Sequence, residues 1–267
     1  LRGFFMLAKI WQYRQFIYSS VKRDFQSRYT GSILGGSWMV FQPLAMILVY
    51  TLVFSNVMHN KLAGMDTNVY AYSIYLCAGA LPWNMFNEVM MSSINVFQNN
   101  ANLLKKVSFP RICLPVITTI TGILNFAIGF ALFLIFLLVS GNFPFHTFWA
   151  FFVVVAVQLV FTLSIGIGLG VMNVFFRDVG QMMAIILQFW FWFTPIVYPA
   201  KIVPGGLSSL LNFNPMYHIV KGYQDIFLYD TIPAFMPIGI LFVISLLLGM
   251  WSLHIYRKHV GEMVDEL

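Results

Sequence analysis

Long stretches without a charged side chain dominate this chain, and turn-forming residues divide them. A charge at the centre of a bilayer costs roughly 2.5–3.5 kcal/mol on insertion scales, so uncharged stretches locate membrane-spanning helices. This criterion predicts six, near residues 33–57, 70–95, 112–139, 149–175, 180–199 and 233–256. Residues 112–176 alone run for 65 positions without Asp, Glu, Lys or Arg, where one crossing needs about 20 apolar residues. The run predicts a hairpin of two helices, with Ser140-Gly141-Asn142-Phe143-Pro144 as its tight turn.

Residues 202–220 are also uncharged, but they carry Pro204-Gly205-Gly206, Ser208-Ser209 and Asn212-Phe213-Asn214-Pro215. Those breakers would leave backbone groups unpaired in lipid, so a pair of short re-entrant helices on the outer face is expected instead of a seventh span. Residues 4–30 alternate apolar and basic groups, with Leu7, Trp11, Tyr18, Val21, Phe25 and Tyr29 near one helical face that Arg14 interrupts. This pattern predicts an amphipathic helix in the cytoplasmic interface, beside anionic headgroups. The expected fold is therefore an all-α membrane protein with six transmembrane helices in a single domain over 1–267. A cytoplasmic amphipathic segment covers 1–32, the bundle 33–256 with its re-entrant 202–230, and a cytoplasmic tail 257–267.

Composition excludes a water-soluble globule: 60% of the 267 residues are hydrophobic and 9% charged, against roughly 25% charged in an ordinary soluble domain. The 15 Lys+Arg exceed the 9 Asp+Glu, but the excess sits in loops beside apolar spans, which is not a nucleic-acid footprint. With the N-terminus inside, 12 basic residues fall on the cytoplasmic side, and Lys61, Lys201 and Lys221 fall outside. The positive-inside bias thus places both termini in the cytoplasm. Lys9 and Arg14 interrupt the first apolar residues, so the first span is expected to act as the insertion signal. Cys77 and Cys113 lie in apolar stretches and are read as buried free thiols.

Catalytic signatures are missing: there is no phosphate-binding Gly-x-x-x-x-Gly-Lys-Ser/Thr, no His-Glu-x-x-His and no Gly-x-Ser-x-Gly. Gly166-x-Gly168-x-Gly170 falls inside a predicted span, where small residues permit close helix packing. Glu88, an acid inside span two, needs either a partner or a wet cavity. Consecutive rings at Phe189, Trp190, Phe191, Trp192 and Phe193, followed by Tyr198, offer flat apolar faces with polar rims that suit sugar rings or a membrane interface. At about 100° per residue they cannot all face one way. Trp190, Trp192, Phe193, Tyr198 and Glu88 are the candidate substrate path. Energy must reach a chain without a phosphate loop through a cytoplasmic surface, and the loop 98–111 presents Leu103, Leu104, Val107 and Phe109 beside Lys105 and Lys106.

Four further segments occur in a distinctive order. They are Tyr29-x-x-Ser32-x-Leu34-Gly35-x-x-Trp38 running into Gln42-Pro43, the loop from Asn99-Asn100-Ala101-Asn102 to Phe109-Pro110-Arg111, Phe176-Arg177-Asp178-Val179, and Thr194-Pro195-Ile196-Val197-Tyr198-Pro199. Together they resemble the permease subunit of type-2 ABC transporters that export O-antigen, capsule or teichoic acid. The resemblance implies a homodimer around a conduit, bound to two copies of a separate ATPase that holds ATP and Mg, with no cofactor on this chain. It implies a coupling helix at 98–110 with Leu103, Leu104, Lys105, Lys106 and Val107 facing the ATPase, an interface helix at the N-terminus, and outer gate helices at 202–230. The implied cargo is a polysaccharide on undecaprenyl pyrophosphate, which Arg14, Lys22, Arg23 or Arg28 would meet at the inner gate. The expected location is the bacterial inner membrane.

Two other readings remain open at this level: a drug- or lipid-exporting permease of the same superfamily, and a polytopic glycosyltransferase or acyltransferase, for which Asp66, Asp225 and Asp230 are too dispersed to form a catalytic cluster. The topology is directly testable. Single cysteines at Ser208 and Glu262 are expected to react with impermeant thiol reagents from opposite sides of the membrane; labelling of both from one side excludes an even number of spans.

Overall fold

The computed structural model describes residues 11–27, 35–54, 70–106 and 109–266, and every element among them is helical. Helix α1 spans Arg14–Ser27. Helix α2 spans Trp38–Val49, entered by a 3-10 turn at Gly35–Ser37 and continued by a π-helical turn at Tyr50–Phe54. Then come α3 (Ala71–Asn99), α4 (Ala101–Lys106), α5 (Cys113–Val139), α6 (Phe148–Phe175) and α7 (Asp178–Phe193). A 3-10 turn at Ala200–Ile202 leads to α8 (Gly205–Leu211), α9 (Pro215–Phe227), α10 (Phe235–His259) and the short α11 (Met263–Glu266). Of the predicted site residues, Arg28 and Val107 lie outside the described residues.

A helix stands at each of the six predicted segments. Among the described residues, four helical stretches are long and apolar enough to cross a membrane: Gly35–Leu52, Cys113–Val139, Phe148–Phe175 and Phe235–His259. Helix α3 has the length, at 29 residues, but carries Asn84, Asn87, Glu88 and Asn95. Helix α7 has 16 residues, about 24 Å at 1.5 Å per residue, and stops at Phe193 instead of continuing to 199. Its end is set by Thr194, which precedes Pro195 and is extended at φ −103°, ψ 127°, as the proline ring demands of the residue before it. The 202–230 region forms short helices of 7 and 13 residues, too short to cross a core of roughly 30 Å.

Helix α3 is the hub. All residues from 71 to 83 are buried, and α5, α6, α7 and α9 pack around it. Helix α6 inserts between α3 and α10, and its three alternating glycines explain how. A Cβ on Gly166 would stand 2.8 Å from Ser93 Cβ, and one on Gly170 would stand 2.6 Å from the Ser93 carbonyl oxygen, both on α3. On the other side, a Cβ on Gly168 would stand 2.6 Å from Ser252 Oγ of α10. The predicted close packing therefore occurs against two neighbours at once. Hydroxyls sew the second seam: Ser252 Oγ donates to the Ser164 carbonyl at 2.5 Å, and Ser164 Oγ to the Ser245 carbonyl at 2.7 Å. Such interhelical bonds contribute roughly 0.6–2 kcal/mol each. A buried chain also joins three helices, with Tyr223 of α9 donating to Gln158 of α6, whose amide donates to the Pro82 carbonyl of α3.

A second apolar cluster closes one end of the bundle, drawing Ile17 and Val21 of α1 together with Phe97, Leu104, Ile112, Tyr256 and Met263. The first and last described helices thus share an end of the bundle. Two expectations change here. The face of α1 that meets protein is Ile17, Ser20 and Val21, whereas Trp11 and Tyr18 are 72% and 71% exposed. The helix has one apolar aspect for α5 and another for its surroundings, so a single stripe did not describe it. Leu104, expected to anchor an ATPase, is buried in this chain's own cluster, leaving Asn102, Lys105 and Lys106 exposed on α4 with Leu103 half-buried.

The glycine packing yields a test. Gly170→Ala must push Cβ into backbone on α3, and overpacking of this kind costs about 1–3 kcal/mol; Gly239→Ala in α10 meets open space. Thermal unfolding of the detergent-purified protein is expected to show a clear loss for the first and none for the second.

Candidate functional site

The aromatic candidates converge where α7 breaks. Trp190, Trp192, Phe193 and Tyr198 line one groove of about 720 Å³, whose other wall is Ile202, Leu210 and Phe213 from the segment leading to α9. None of the lining side chains among the described residues is charged. Trp192 is 59% exposed, Phe193 67% and Phe213 85%, so three rings present faces to whatever fills the groove.

Trp190 does something else. It is half-buried against Trp83, Phe86 and Phe161 in edge-on contacts, with centroids 6.4, 5.5 and 6.5 Å away. Its indole N–H donates to Asn214 Oδ1 at 2.8 Å. Trp190 thus packs into the wall, and the exposed ring faces belong to Trp192 and Phe193.

Asn214 organises this end. Its Oδ1 also caps α9 by accepting from the Met216 amide, and its Nδ2 donates to the Phe193 carbonyl at 3.2 Å and to Thr194 Oγ1 at 3.0 Å. The extended segment behind it is held from α3 and α9. Tyr72 donates to the Val197 carbonyl, Tyr75 shares its proton between the Pro195 and Tyr198 carbonyls, and Gln224 donates to the Pro195 carbonyl. The Tyr198 hydroxyl donates to the Trp192 carbonyl at 2.8 Å, fixing the last aromatic over the end of α7. Farther along α9, burial pushes the Asp225 carboxyl above its ordinary range, an effect that Lys221 partly offsets.

The remaining candidates are distributed elsewhere. Glu88 lies in a separate groove of about 560 Å³ between α2, α3 and α5, where Asn125 Nδ2 donates to its Oε1 at 2.6 Å. Arg14 and Lys22 flank an apolar groove between α1 and α5, with the Arg14 guanidinium 5.5 Å from the Trp11 ring centre. Arg23 belongs to a different cleft, with Asp24, Asn100 and Leu103. The three basic candidates among the described residues, Arg14, Lys22 and Arg23, thus do not line one cleft. Phe213 and Asn214 were expected from sequence only as helix breakers and not as part of the groove, although Asn214-Pro215, a capping residue followed by proline at the first helical position, is a recognisable helix start.

Comparison with known proteins decides the family. Residues 15–228 match the ABC-2 type transporter family of membrane proteins. The chain belongs to that family. Over 98% of its length this ABC-2 protein is 32% identical to the O-antigen export system permease protein RfbA of Myxococcus xanthus, covering 99% of that chain. It is 28% identical to a protein of the same name from Klebsiella pneumoniae over 88% of each chain. It is also 22% identical to the polysialic acid transport protein KpsM of Escherichia coli, over 91% of this chain and 92% of that one.

The staple at Asn214 gives the groove a measurable dependence. Asn214→Ala removes the cap, worth about 0.5–2 kcal/mol, and releases the Trp190 indole. Backbone hydrogen exchange in 193–217 is expected to accelerate several-fold, with exchange in α6 unchanged; equal protection of 193–217 in the variant would show that the cap does not hold this end.

Proposed function

We propose that this ABC-2 permease exports a lipid-linked polysaccharide such as O-antigen across the bacterial inner membrane. It works as a homodimer of six-span subunits driven by two copies of a separate ATPase, with both termini in the cytoplasm. The observation that carries the reading is the uncharged groove in which Trp192, Phe193 and Phe213 expose their rings beside the break in α7. Aromatic faces suit the C–H faces of sugar rings, and they hold no charge that would trap a moving polymer. Near full-length similarity to proteins named for O-antigen export supports the same cargo class. The α8 and α9 helices are read as the outer gate, and α4 as the element that docks on the ATPase.

Because Leu104 is buried in this chain, the docking surface on α4 is Asn102, Lys105 and Lys106, with Leu103 at its edge. Arg14 and Lys22 remain the candidates for a pyrophosphate at the inner gate, with their groove offering apolar surface to a lipid chain.

The test is complementation in cells that lack their own O-antigen permease, with surface glycan and ATPase co-purification measured together. The unsubstituted protein with its ATPase is expected to restore surface glycan. Trp192→Ala combined with Phe213→Ala is expected to lower glycan at the surface while the ATPase stays bound. Lys105→Glu with Lys106→Glu is expected to release the ATPase. Normal surface glycan in the aromatic double variant would remove the groove from the conduit.

A further inference from the structure

Helix α3 inverts the usual order of a membrane helix. Its apolar residues are buried in protein, and the residues left uncovered beyond Trp83 are mainly polar. Asn84, Asn87, Glu88, Met91, Ser92, Asn95, Gln98 and Asn99 are exposed or half-buried, while Met85, Phe86, Val89, Met90, Ser93, Ile94, Val96 and Phe97 between them are all buried. At about 100° per residue these eight positions fall within roughly a 140° arc, a continuous stripe along one side. Seven of the eight are polar. Lipid tails would make that face costly, and in proteins of this kind an uncovered intramembrane polar surface lines a wet path or a partner.

The two halves of the stripe differ. Toward the end that bears α4, Asn95 accepts from Asn173 at 3.2 Å and Gln98 donates to the Asn173 carbonyl, so those amides are used to hold α6. Toward the middle of the helix, the Asn87 side chain makes no hydrogen bond among the described residues. Across the adjoining groove, Asn125 spends its Nδ2 on Glu88, and its Oδ1 is buried without a hydrogen-bond partner. Gln42 of α2 and Asn84 line the same groove. Asn84 Nδ2 makes a long contact with Met46 Sδ at 3.8 Å, and the surface offers amide donors and acceptors beside the Glu88 carboxylate, which suits a hydroxyl-rich ligand. Asn84 and Glu88 stand about 20 Å and about 16 Å from the two ends of α3, near the middle of its length.

We propose that Asn84, Asn87 and Glu88 of α3, with Asn125 of α5, form a hydroxyl-recognising site that contacts the sugar polymer partway through the membrane, separate from the aromatic groove at the end of α7. The proposal rests on the polysaccharide reading for its ligand class. Amide and carboxylate oxygens accept from sugar hydroxyls, and amide N–H groups donate to them, so a polymer can pass from one such contact to the next while water fills the remaining space.

The experiment uses the full protein with its ATPase in membranes. Asn87→Cys is treated with a membrane-impermeant thiol reagent, with Leu247→Cys, exposed midway along α10, as the comparator. The native Cys77 and Cys113 are buried. The expected result is labelling at 87 and none at 247. In parallel, Asn87→Leu is expected to lower the rate of glycan export about fivefold, the factor that one neutral hydrogen bond corresponds to, with ATPase association and protein level unchanged. Glu88→Gln, which can still accept from Asn125, is expected to lower export too, because a charged acceptor binds hydroxyls more strongly than a neutral one. An unreactive thiol at 87, a disulfide joining two copies through it, or full export by Asn87→Leu each overturns the site, since the stripe then faces lipid, faces a second subunit or contacts no cargo. Failure of the unsubstituted protein to export glycan has a different signature, and it overturns the function reading together with the ligand assigned here.

Discussion

An unpaired backbone carbonyl or amide in a water-free interior costs several kcal/mol, and the break after α7 is where this chain must avoid that cost. Two prolines, Pro195 and Pro199, end the helix and remove backbone donors within a few residues of each other. The carbonyls of Phe193, Pro195, Val197 and Tyr198 would be orphaned. Each instead accepts from a side chain, namely Asn214, Tyr75 with Gln224, Tyr72, and Tyr75 again. That requirement accounts for the burial of the first half of α3, which must stand close enough to deliver two tyrosine hydroxyls. It also fixes α9, which supplies Gln224 and starts at Asn214. The shape of the aromatic groove follows from these bonds, since Trp190, Trp192 and Tyr198 are each tied to a carbonyl or amide in the same knot.

Close packing around α3 depends on a second device, the alternation of Gly166, Gly168 and Gly170. Positions four apart on a helix share a face, so Gly166 and Gly170 admit α3, while Gly168 admits α10. A helix wedged between two others in this way can transmit displacement as a rigid body, because interiors packed at this distance have no slack to absorb it.

Much of this was legible in the sequence, and the reason is physical. Charge-free stretches, prolines and paired glycines act locally, so the helix positions, the turn at 140–144, the short helices after α7 and the packing role of the glycines could all be read from residue order. The misread features involve direction. Nothing in the spacing of Leu103, Leu104, Lys105 and Lys106 says that Leu104 turns into the chain's own cluster, and five successive rings do not reveal that Trp190 is the one that turns inward. The apolar face of α1 was likewise mistaken because the helix lies between two apolar surroundings. The polar stripe of α3 was available: Asn84, Asn87, Glu88, Asn95 and Gln98 recur at helical spacing.

The lower end of that stripe shows why polarity in a membrane helix does not by itself imply a ligand. Asn173 of α6 donates to the Ile94 carbonyl and to Asn95 Oδ1, its carbonyl accepts from Gln98, and its own Oδ1 accepts from the Gly180 amide in the first turn of α7. Four groups are satisfied within protein, and three helices are fastened at the end that bears α4. Asn95 and Gln98 are therefore explained by structure alone. Past the end of α9, Asp230 is engaged too, accepting from Thr147 Oγ1 at 2.7 Å. The middle of α3 is the contrast. The same residue types occur on the same face, yet Asn87 meets no protein acceptor or donor among the described residues, and Asn125 Oδ1 stays unmet. The mid-helix groups are thus only partly tied, since Asn84 donates to Met46 Sδ and Asn125 to Glu88, and the exposed Asn87 amide is the position on this face where a passing polar group would meet no competing partner among the described residues.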